Sequence, residues 1–223
     1  MNASVIQGVL VDLDGTLLDT VPDLAAACNG MMSDLGLFAV TEKQVSEYVG
    51  KGAEVLVHRC LTSSLDGRAD AALHAKAMIA FGENYHRTNG QYARVYDGVI
   101  EGLEALRAKG LKLACVTNKP YEFAEPLLEA TKLRHYFEFV QGGDTIAKKK
   151  PDPLPMLWAA SRLGLPPEQC AAIGDSITDA LAGNAAGMRV LMVPYGYNEG
   201  RAVLPSDCHA IIPSLAAAVG CLG

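Results

Sequence analysis

Residues 8–16, Gly-Val-Leu-Val-Asp-Leu-Asp-Gly-Thr, determine the fold more than any other stretch of the chain. The stretch opens with a short apolar run that contains two β-branched valines, which is typical of a strand buried on both faces of a sheet. Asp12 and Asp14 follow the run directly. The pattern therefore predicts a buried parallel strand that ends in an acidic loop.

The sequence after this strand changes to a helical pattern. Between about residues 21 and 94 apolar side chains recur at helical spacing, and no part of the segment predicts a strand. Thr41 and Gln44 have the spacing of a capping box at the start of a helix. A single helix is enough to connect two parallel strands. A segment of this length therefore predicts a small helical domain inserted after the first strand.

Strand and helix patterns alternate from Asp97 to the end of the chain. Such alternation predicts an α/β fold, with a Rossmann-like parallel sheet sandwiched by helices and an all-helical cap domain inserted into it. We expect residues 1–20 and 95–223 to form the core and residues 21–94 to form the cap. The later strands are predicted in the segments LKLACVT, FEFVQ, CAAIG, RVLMV and HAIIP.

Charge and composition exclude several classes of protein. The chain of 223 residues has 19 basic and 25 acidic side chains, a net charge of −6, which argues against a nucleic-acid-binding surface. Half of the residues are hydrophobic, so the chain is globular rather than disordered. The six cysteines form no C-x-x-C pair, which argues against a zinc site and a disulfide framework.

The expected location is the cytoplasm. No basic residue precedes the first apolar run and two aspartates interrupt it, so we expect neither a signal peptide nor contact with a membrane. The sequence leaves the oligomeric state open between a monomer and a homodimer.

Polar side chains follow four of the predicted strands. In open α/β sheets ligands bind beyond the carboxyl ends of the strands, so we expect these side chains to converge. Several carboxylates in one place repel each other unless a cation lies among them, and an all-oxygen ligand set favours a hard ion such as Mg²⁺. The residues at these strand ends are Asp12, Asp14, Thr117, Asn118, Lys150, Asp175 and Asp179.

These residues resemble the four ordered motifs of the haloacid dehalogenase-like phosphatases. The motifs here are Asp12-Leu13-Asp14-Gly15-Thr16, Val116-Thr117-Asn118, Lys150-Pro151 and Gly174-Asp175-Ser176-x-x-Asp179. The resemblance covers nearly the whole chain, including the position of the helical insertion. The stretches 116–120, 142–145, 149–153 and 196–198 are also similar to those of bacterial phosphoglycolate phosphatases.

The resemblance implies a role for each motif residue. Asp12 would be the nucleophile that forms an aspartyl-phosphate, and Asp14 would act as general acid and base. Mg²⁺ would be held by Asp12, the Asp14 backbone carbonyl and Asp175. Asp179 would orient these ligands without binding the metal itself. Phosphate oxygens would be bound by Thr117 and Asn118, with Lys150 offsetting their charge.

The insertion provides a candidate for substrate recognition. Gly50-Lys51-Gly52 lies between two helical stretches, and by resemblance to the caps of this family it would be a specificity loop in which Lys51 binds a substrate carboxylate. A small phosphorylated metabolite with a carboxylate at its other end, 2-phosphoglycolate, would fit a phosphate site that faces such a lysine.

Other functions stay open at this stage. Another small phosphate ester or pyrophosphate could be the substrate, and a sugar phosphomutase of the same architecture would transfer the phosphoryl group to a hydroxyl instead of water. A dehalogenase is disfavoured because Asp14 supplies an acid for which that reaction has no use. A non-enzymatic phosphate-binding module is disfavoured because every charged motif residue is present.

Overall fold

The first predicted strand lies in the middle of the sheet. In the computed structural model, which describes residues 5–222, strand β1 (Gly8–Val11) is flanked by two parallel strands and is buried throughout. The other strands of this sheet are β4 (Lys112–Val116), β5 (Phe139–Gln141), β6 (Cys170–Gly174), β7 (Arg189–Met192) and β8 (Ala210–Ile211). The six strands are parallel and lie in the order β5-β4-β1-β6-β7-β8.

Helices cover both faces of this sheet. One apolar layer contains α5 (Val99–Ala108), α6 (Tyr121–Ala130) and a C-terminal 3₁₀ segment, Leu215–Cys221, where the sequence predicts an α-helix. The opposite layer contains α7 (Leu154–Leu163) and α8 (Ile177–Ala185). Alternate residues of β1 enter the two layers, Val9 and Val11 on one side and Leu10 on the other. The predicted fold class is confirmed.

The inserted segment forms four helices with an apolar cluster of their own. They are α1 (Val21–Asp34), α2 (Glu42–Tyr48), α3 (Ala53–Thr62) and α4 (Ala71–Thr88). Met31, Val57 and Phe81 are fully buried in this cluster, and Phe123 of α6 joins it from the core. The predicted capping box is confirmed: the Gln44 amide donates to the Thr41 hydroxyl, and the Gln44 side chain accepts from the Thr41 amide.

A short antiparallel ribbon joins the inserted helices to the sheet. Strand β2 (Leu18–Asp19) pairs with β3 (Arg94–Val95). The expectation of no strand between residues 21 and 94 is therefore wrong at its last residue, because two residues are too few to produce a periodic pattern. The division into domains at residues 20 and 95 stays a prediction. Within residues 5–222 no helix combines the length and the apolar character needed to span a membrane.

Candidate active site

Three carboxylates meet at the carboxyl end of the sheet. Asp12 follows β1, Asp175 follows β6, and Asp179 lies in the first turn of α8. One oxygen of each lies within 4.8 Å of the others. Asp179 also accepts hydrogen bonds from the amide and the hydroxyl of Ser176, at 3.2 and 2.7 Å. The site thus brings Asp179 into the acidic cluster itself, closer than its predicted orienting role requires.

Lys150 lies between two of these carboxylates. Its ammonium group donates to Asp179 at 2.6 Å and to the backbone carbonyl of Val116 at 2.7 Å, and it lies 2.8 Å from Asp12. Burial alone would lower the pKa of Lys150, but Asp12 and Asp179 raise it above its usual value. Lys150 is therefore a permanent cation inside the cluster.

The negative charges of Asp12 and Asp175 are unfavourable in this buried cluster. Burial and the neighbouring Asp179 raise the pKa of Asp12 to about 7, even though Lys150 lowers it. Burial, Asp179 and Asp12 raise the pKa of Asp175 to about 8. A single lysine does not compensate three buried carboxylates, so the cluster has the charge and the oxygen donors that suit a divalent cation.

The carboxylate of Asp12 can bind a cation in addition to Lys150. Its Oδ1 atom lies 2.8 Å from the ammonium group of Lys150. A carboxylate has about four lone-pair sites, so Asp12 keeps acceptor capacity beside this ion pair, and coordination of a metal ion would use it. The residues present therefore fit a hard metal ion such as Mg²⁺.

Asp175 is held in place from two sides. Its Oδ1 atom accepts from the hydroxyl of Thr16 at 2.9 Å, and its Oδ2 atom accepts from the amide of Tyr197 at 2.7 Å. Gly15 has a φ of +86°, and a Cβ atom at this position would lie 2.4 Å from the Asp175 carboxylate. Only glycine therefore lets the loop after β1 pass so close to this acid.

The Asp14 side chain turns away from the acidic cluster. Its Oδ1 atom accepts from the hydroxyl of Thr20 at 2.7 Å and from the ammonium group of Lys119 at 2.9 Å. Asp14 and Asp12 both line a cavity between the sheet and the inserted helices. The two predicted catalytic acids thus face one space with different partners.

The Asn118 side chain is engaged in contacts within the protein. Its side-chain amide donates to the carbonyls of Lys150 and Gly50, and its Oδ1 atom accepts from the amide of Lys150. The Asn118 side chain thus connects the end of β4 with two other segments, the loop that contains Lys150 and the cap loop that contains Gly50. Within residues 5–222 the peptide N–H of Asn118 forms no hydrogen bond, so this group is the one available for phosphate. Thr117 lines the cavity beside it.

Lys51 is not brought together with the other predicted residues. Its ammonium group pairs with Glu199 at 2.6 Å, and its side chain is 39% exposed. The neighbouring Gly50, Gly52 and Ala53 line the cavity. The structure therefore places Lys51 in a contact between the cap and the loop after β7.

The cavity between cap and core is small, with a volume of about 40 Å³. Its core side is polar, with the two acids and the residues that follow β4. Its cap side is mainly apolar and aromatic. The cap-side residues are Leu24, Val49, Leu56, Phe81 and Tyr85, with Phe123 of the core beside them.

Two cavity residues received no function from the sequence. Lys119 follows Thr117 by two residues in the same strand-end motif, and it lines the cavity. A basic residue at the end of a predicted strand is a sequence signal that could have marked it as a candidate for anion binding. Tyr85 lies within α4, where an aromatic residue at helical spacing is ordinarily a core residue. Its place in the cavity depends on how α4 packs on the core.

Comparison with known proteins identifies the family. The model of the haloacid dehalogenase-like hydrolases matches residues 9–193. The chain belongs to this family. A phosphoglycolate phosphatase of Nitrosospira multiformis is 51% identical over 94% of this chain and 92% of its own length. One of Thiobacillus denitrificans is 47% identical over 96% and 94%. The family member described here is a phosphatase.

Solved structures agree with this family fold. A crystal structure described as a predicted phosphoglycolate phosphatase from Haemophilus somnus has a TM-score of 0.91 and 32% identity, over 98% of both chains. The structure of CbbY from Rhodobacter sphaeroides in complex with phosphate has a TM-score of 0.78 and 25% identity, over 95% of both chains. The helical cap is thus part of a fold shared across the length of these proteins.

Proposed function

We propose that this phosphatase hydrolyses 2-phosphoglycolate to glycolate and phosphate, with Mg²⁺ as cofactor and an aspartyl-phosphate on Asp12 as intermediate. The substrate is supported by the relatives, which are named phosphoglycolate phosphatases and match nearly the full chain. The cofactor is supported by the carboxylates of Asp12, Asp175 and Asp179 around one point.

The single observation that carries the mechanism is the different environment of the two acids at the end of β1. Asp12 lies against Lys150 in the acidic cluster, whereas Asp14 lies against Thr20 and Lys119. This difference supports the attack of Asp12 on phosphorus and the protonation of the leaving group by Asp14. Such a division of roles is what covalent phosphoryl transfer needs.

The first step forms the intermediate. An oxygen of Asp12 attacks phosphorus in line, the bond to the glycolate oxygen breaks, and protonated Asp14 gives its proton to that oxygen. When bound, Mg²⁺ would supply charge neutralisation and align the phosphate with the nucleophile. Thr117, the Asn118 peptide N–H and Lys150 stabilise the negative charge on the phosphate oxygens.

The second step frees the enzyme. Asp14, now ionised, takes a proton from a water molecule that attacks phosphorus. The bond between phosphorus and Asp12 breaks, phosphate leaves, and Asp14 is again protonated. The apolar cap side of the cavity limits the access of other water molecules during this cycle.

A phosphate-release assay tests the substrate and the cofactor together. We expect the highest kcat/KM with 2-phosphoglycolate, compared with sugar phosphates and pyrophosphate, and loss of turnover when Mg²⁺ is removed with EDTA. Equal or better use of another substrate would refute the substrate assignment. Little free phosphate together with activation by a sugar bisphosphate would indicate a phosphomutase.

The variant Asp12→Asn tests the nucleophile. We expect it to retain weak phosphate binding but to form no acid-stable phosphoenzyme, with turnover reduced by at least about 10³-fold. Asp14→Asn is the matched comparison, because it keeps the nucleophile and should slow release of the leaving group. Turnover by Asp12→Asn near the wild-type rate would exclude Asp12 as the nucleophile.

A further inference from the structure

Two polar groups of the cavity have no role in the steps above. One is the ammonium group of Lys119, from the loop after β4, and the other is the hydroxyl of Tyr85, from α4 of the cap. They approach the cavity from opposite sides of the boundary between core and cap. A ligand held by both would contact the two parts of the molecule at once.

Lys119 is buried with its charge intact. It is 5% exposed, and its ammonium group donates to Asp14 and lies 4.8 Å from the centre of the Tyr85 ring. Burial alone would lower its pKa, but Asp14 and Tyr85 raise it above its usual value. An ammonium group has three N–H donors. Asp14 uses one of them, which leaves donors for an anion inside the cavity.

The Tyr85 hydroxyl is an unsatisfied donor. Tyr85 is 1% exposed, and its hydroxyl oxygen lies beside the ammonium group of Lys119. An ammonium group cannot accept a hydrogen bond, and within the described part of the chain no acceptor is bonded to the hydroxyl hydrogen. Burial of a hydroxyl without a partner is unfavourable. The ring itself is fixed by Phe81 and Phe123, whose ring centres lie 5.3 and 4.7 Å away. The hydroxyl is therefore held rigidly in a place where a ligand would satisfy it.

We propose that Lys119 and Tyr85 form the subsite for the carboxylate of the leaving group. The proposal rests on the proposed function and deepens it, because it names the residues that select glycolate. In this arrangement Lys119 supplies the positive charge and Tyr85 donates its hydroxyl hydrogen to a carboxylate oxygen. Each oxygen of a carboxylate can accept such a bond.

The distances suit a short leaving group. In 2-phosphoglycolate the carboxylate carbon is two bonds from the oxygen that leaves phosphorus. Asp14 protonates that oxygen, and Lys119 lies one hydrogen bond of 2.9 Å from Asp14. A carboxylate bound to Lys119 is therefore only a few ångströms from the reacting oxygen. Behind it, Phe81, Tyr85 and Phe123 close the space against a sugar ring.

Two substrates that differ only in the carboxylate test this subsite. We would measure kcat/KM for 2-phosphoglycolate and for ethyl phosphate, in which a methyl group replaces the carboxylate, and take their ratio. We expect Lys119→Met to lower this ratio about 100-fold and Tyr85→Phe to lower it about 10-fold, because each removes one bond to the carboxylate. Tyr85→Phe keeps the ring and its packing, so it tests the subsite even where Lys119→Met folds poorly.

Two further lysine variants separate the possible causes. Lys51→Met should leave the ratio of the two kcat/KM values unchanged. If Lys51→Met lowers this ratio and Lys119→Met does not, the carboxylate is bound by the cap loop at Lys51 and the proposed subsite is refuted. Lys149→Met, outside the cavity lining, should leave both activities unchanged.

The remaining outcomes are also distinct. If Lys119→Met lowers kcat/KM equally for both substrates, Lys119 acts only by positioning Asp14 and the subsite is refuted. If the wild-type enzyme does not prefer 2-phosphoglycolate over ethyl phosphate, the substrate assignment fails. If the wild-type enzyme prefers 2-phosphoglycolate and both Lys119→Met and Tyr85→Phe keep this preference, the substrate assignment stands and only the subsite is refuted.

Discussion

Lys150 shows how strongly a single residue can affect the charge of the candidate active site. Its ammonium group is 3% exposed and contacts Asp12, Asp179 and a backbone carbonyl. The attraction inside such a buried cluster has to offset the loss of hydration of every charge in it. Removal of the one cation therefore leaves carboxylates that neither water nor protein compensates.

We expect Lys150→Met to lower the free energy of unfolding by about 3 kcal/mol near neutral pH, the usual cost of breaking a buried charge pair. Urea denaturation measures this loss. The matched control is Lys148→Met, two residues earlier in the same run, whose side chain is exposed and should contribute less than about 0.5 kcal/mol. Equal effects of the two variants would contradict the structural role of Lys150.

The positions of site residues could be predicted from the sequence only where a strand end imposes them. Asp12 and Asp175 follow apolar strands, so their meeting at one edge of the sheet follows from the parallel topology. The contacts of Asn118 with Gly50 and Lys150 could not be predicted, because they depend on two loops far apart in sequence. The same is true of Tyr85, whose position depends on the packing of α4.

At the scale of elements, the loop after β7 links the site to the cap. The amide of Tyr197 holds Asp175, and its hydroxyl donates to Asp19 in β2 at 2.7 Å. Two residues further on, Glu199 accepts from Arg59 of α3 at 2.5 Å. One short loop thus contacts a candidate metal ligand, the connecting ribbon and a cap helix.

The Glu199 contact predicts a pH-dependent contribution to stability. Burial raises the pKa of Glu199, but Lys51 and Arg59 lower it more, so its folded-state pKa lies below the ordinary value of 4.5. Such a group stabilises the fold above its unfolded-state pKa, and the contribution is lost as the pH falls through the folded-state value. We expect Glu199→Gln to cost about 2 kcal/mol at neutral pH, and this difference to shrink below pH 4.5.

Urea denaturation at neutral and acidic pH measures this difference between wild type and variant. Glu47→Gln is the control, because Glu47 pairs with the exposed Lys43 and such surface pairs contribute little. A Glu199→Gln deficit that stays constant into the acidic range would show that the carboxylate charge is not its cause.

The elements themselves were predictable to different degrees. The buried strands and the four cap helices follow from apolar periodicity, and the Thr41 capping box marks one helix start correctly. The ribbon of Leu18–Asp19 with Arg94–Val95 escapes such prediction because each strand has two residues. The C-terminal segment forms a 3₁₀ helix although its composition is typical of an α-helix.

At the scale of the whole molecule, the acidic cluster links metal binding to stability. The pKa values of Asp12 and Asp175, about 7 and about 8 in the metal-free fold, lie far above the ordinary 3.8. Between the ordinary pKa of 3.8 and these raised values, the folded chain binds more protons than the unfolded chain. The free energy of unfolding therefore falls as the pH rises through this range. A bound cation favours the ionised carboxylates and removes this loss.

We therefore expect Mg²⁺ to raise Tm more at about pH 8 than at about pH 5.5. At a concentration about 100 times its Kd, the rise at the higher pH should be about 5–10 °C. Differential scanning fluorimetry with Mg²⁺ or EDTA measures it. Asp175→Asn should abolish most of the rise, whereas an equal rise at both pH values would contradict the linkage.

The central position of β1 has a consequence for the order of folding. Its two partners are Lys112–Val116 and Cys170–Gly174, so Gly8 pairs with a strand that the ribosome makes more than a hundred residues later. Contacts of such long sequence separation form slowly. Most of the apolar cluster of the cap helices comes from the inserted segment itself, although Phe123 joins it later from α6. During synthesis the insertion can therefore assemble first, while the strand that precedes Asp12 is still unpaired.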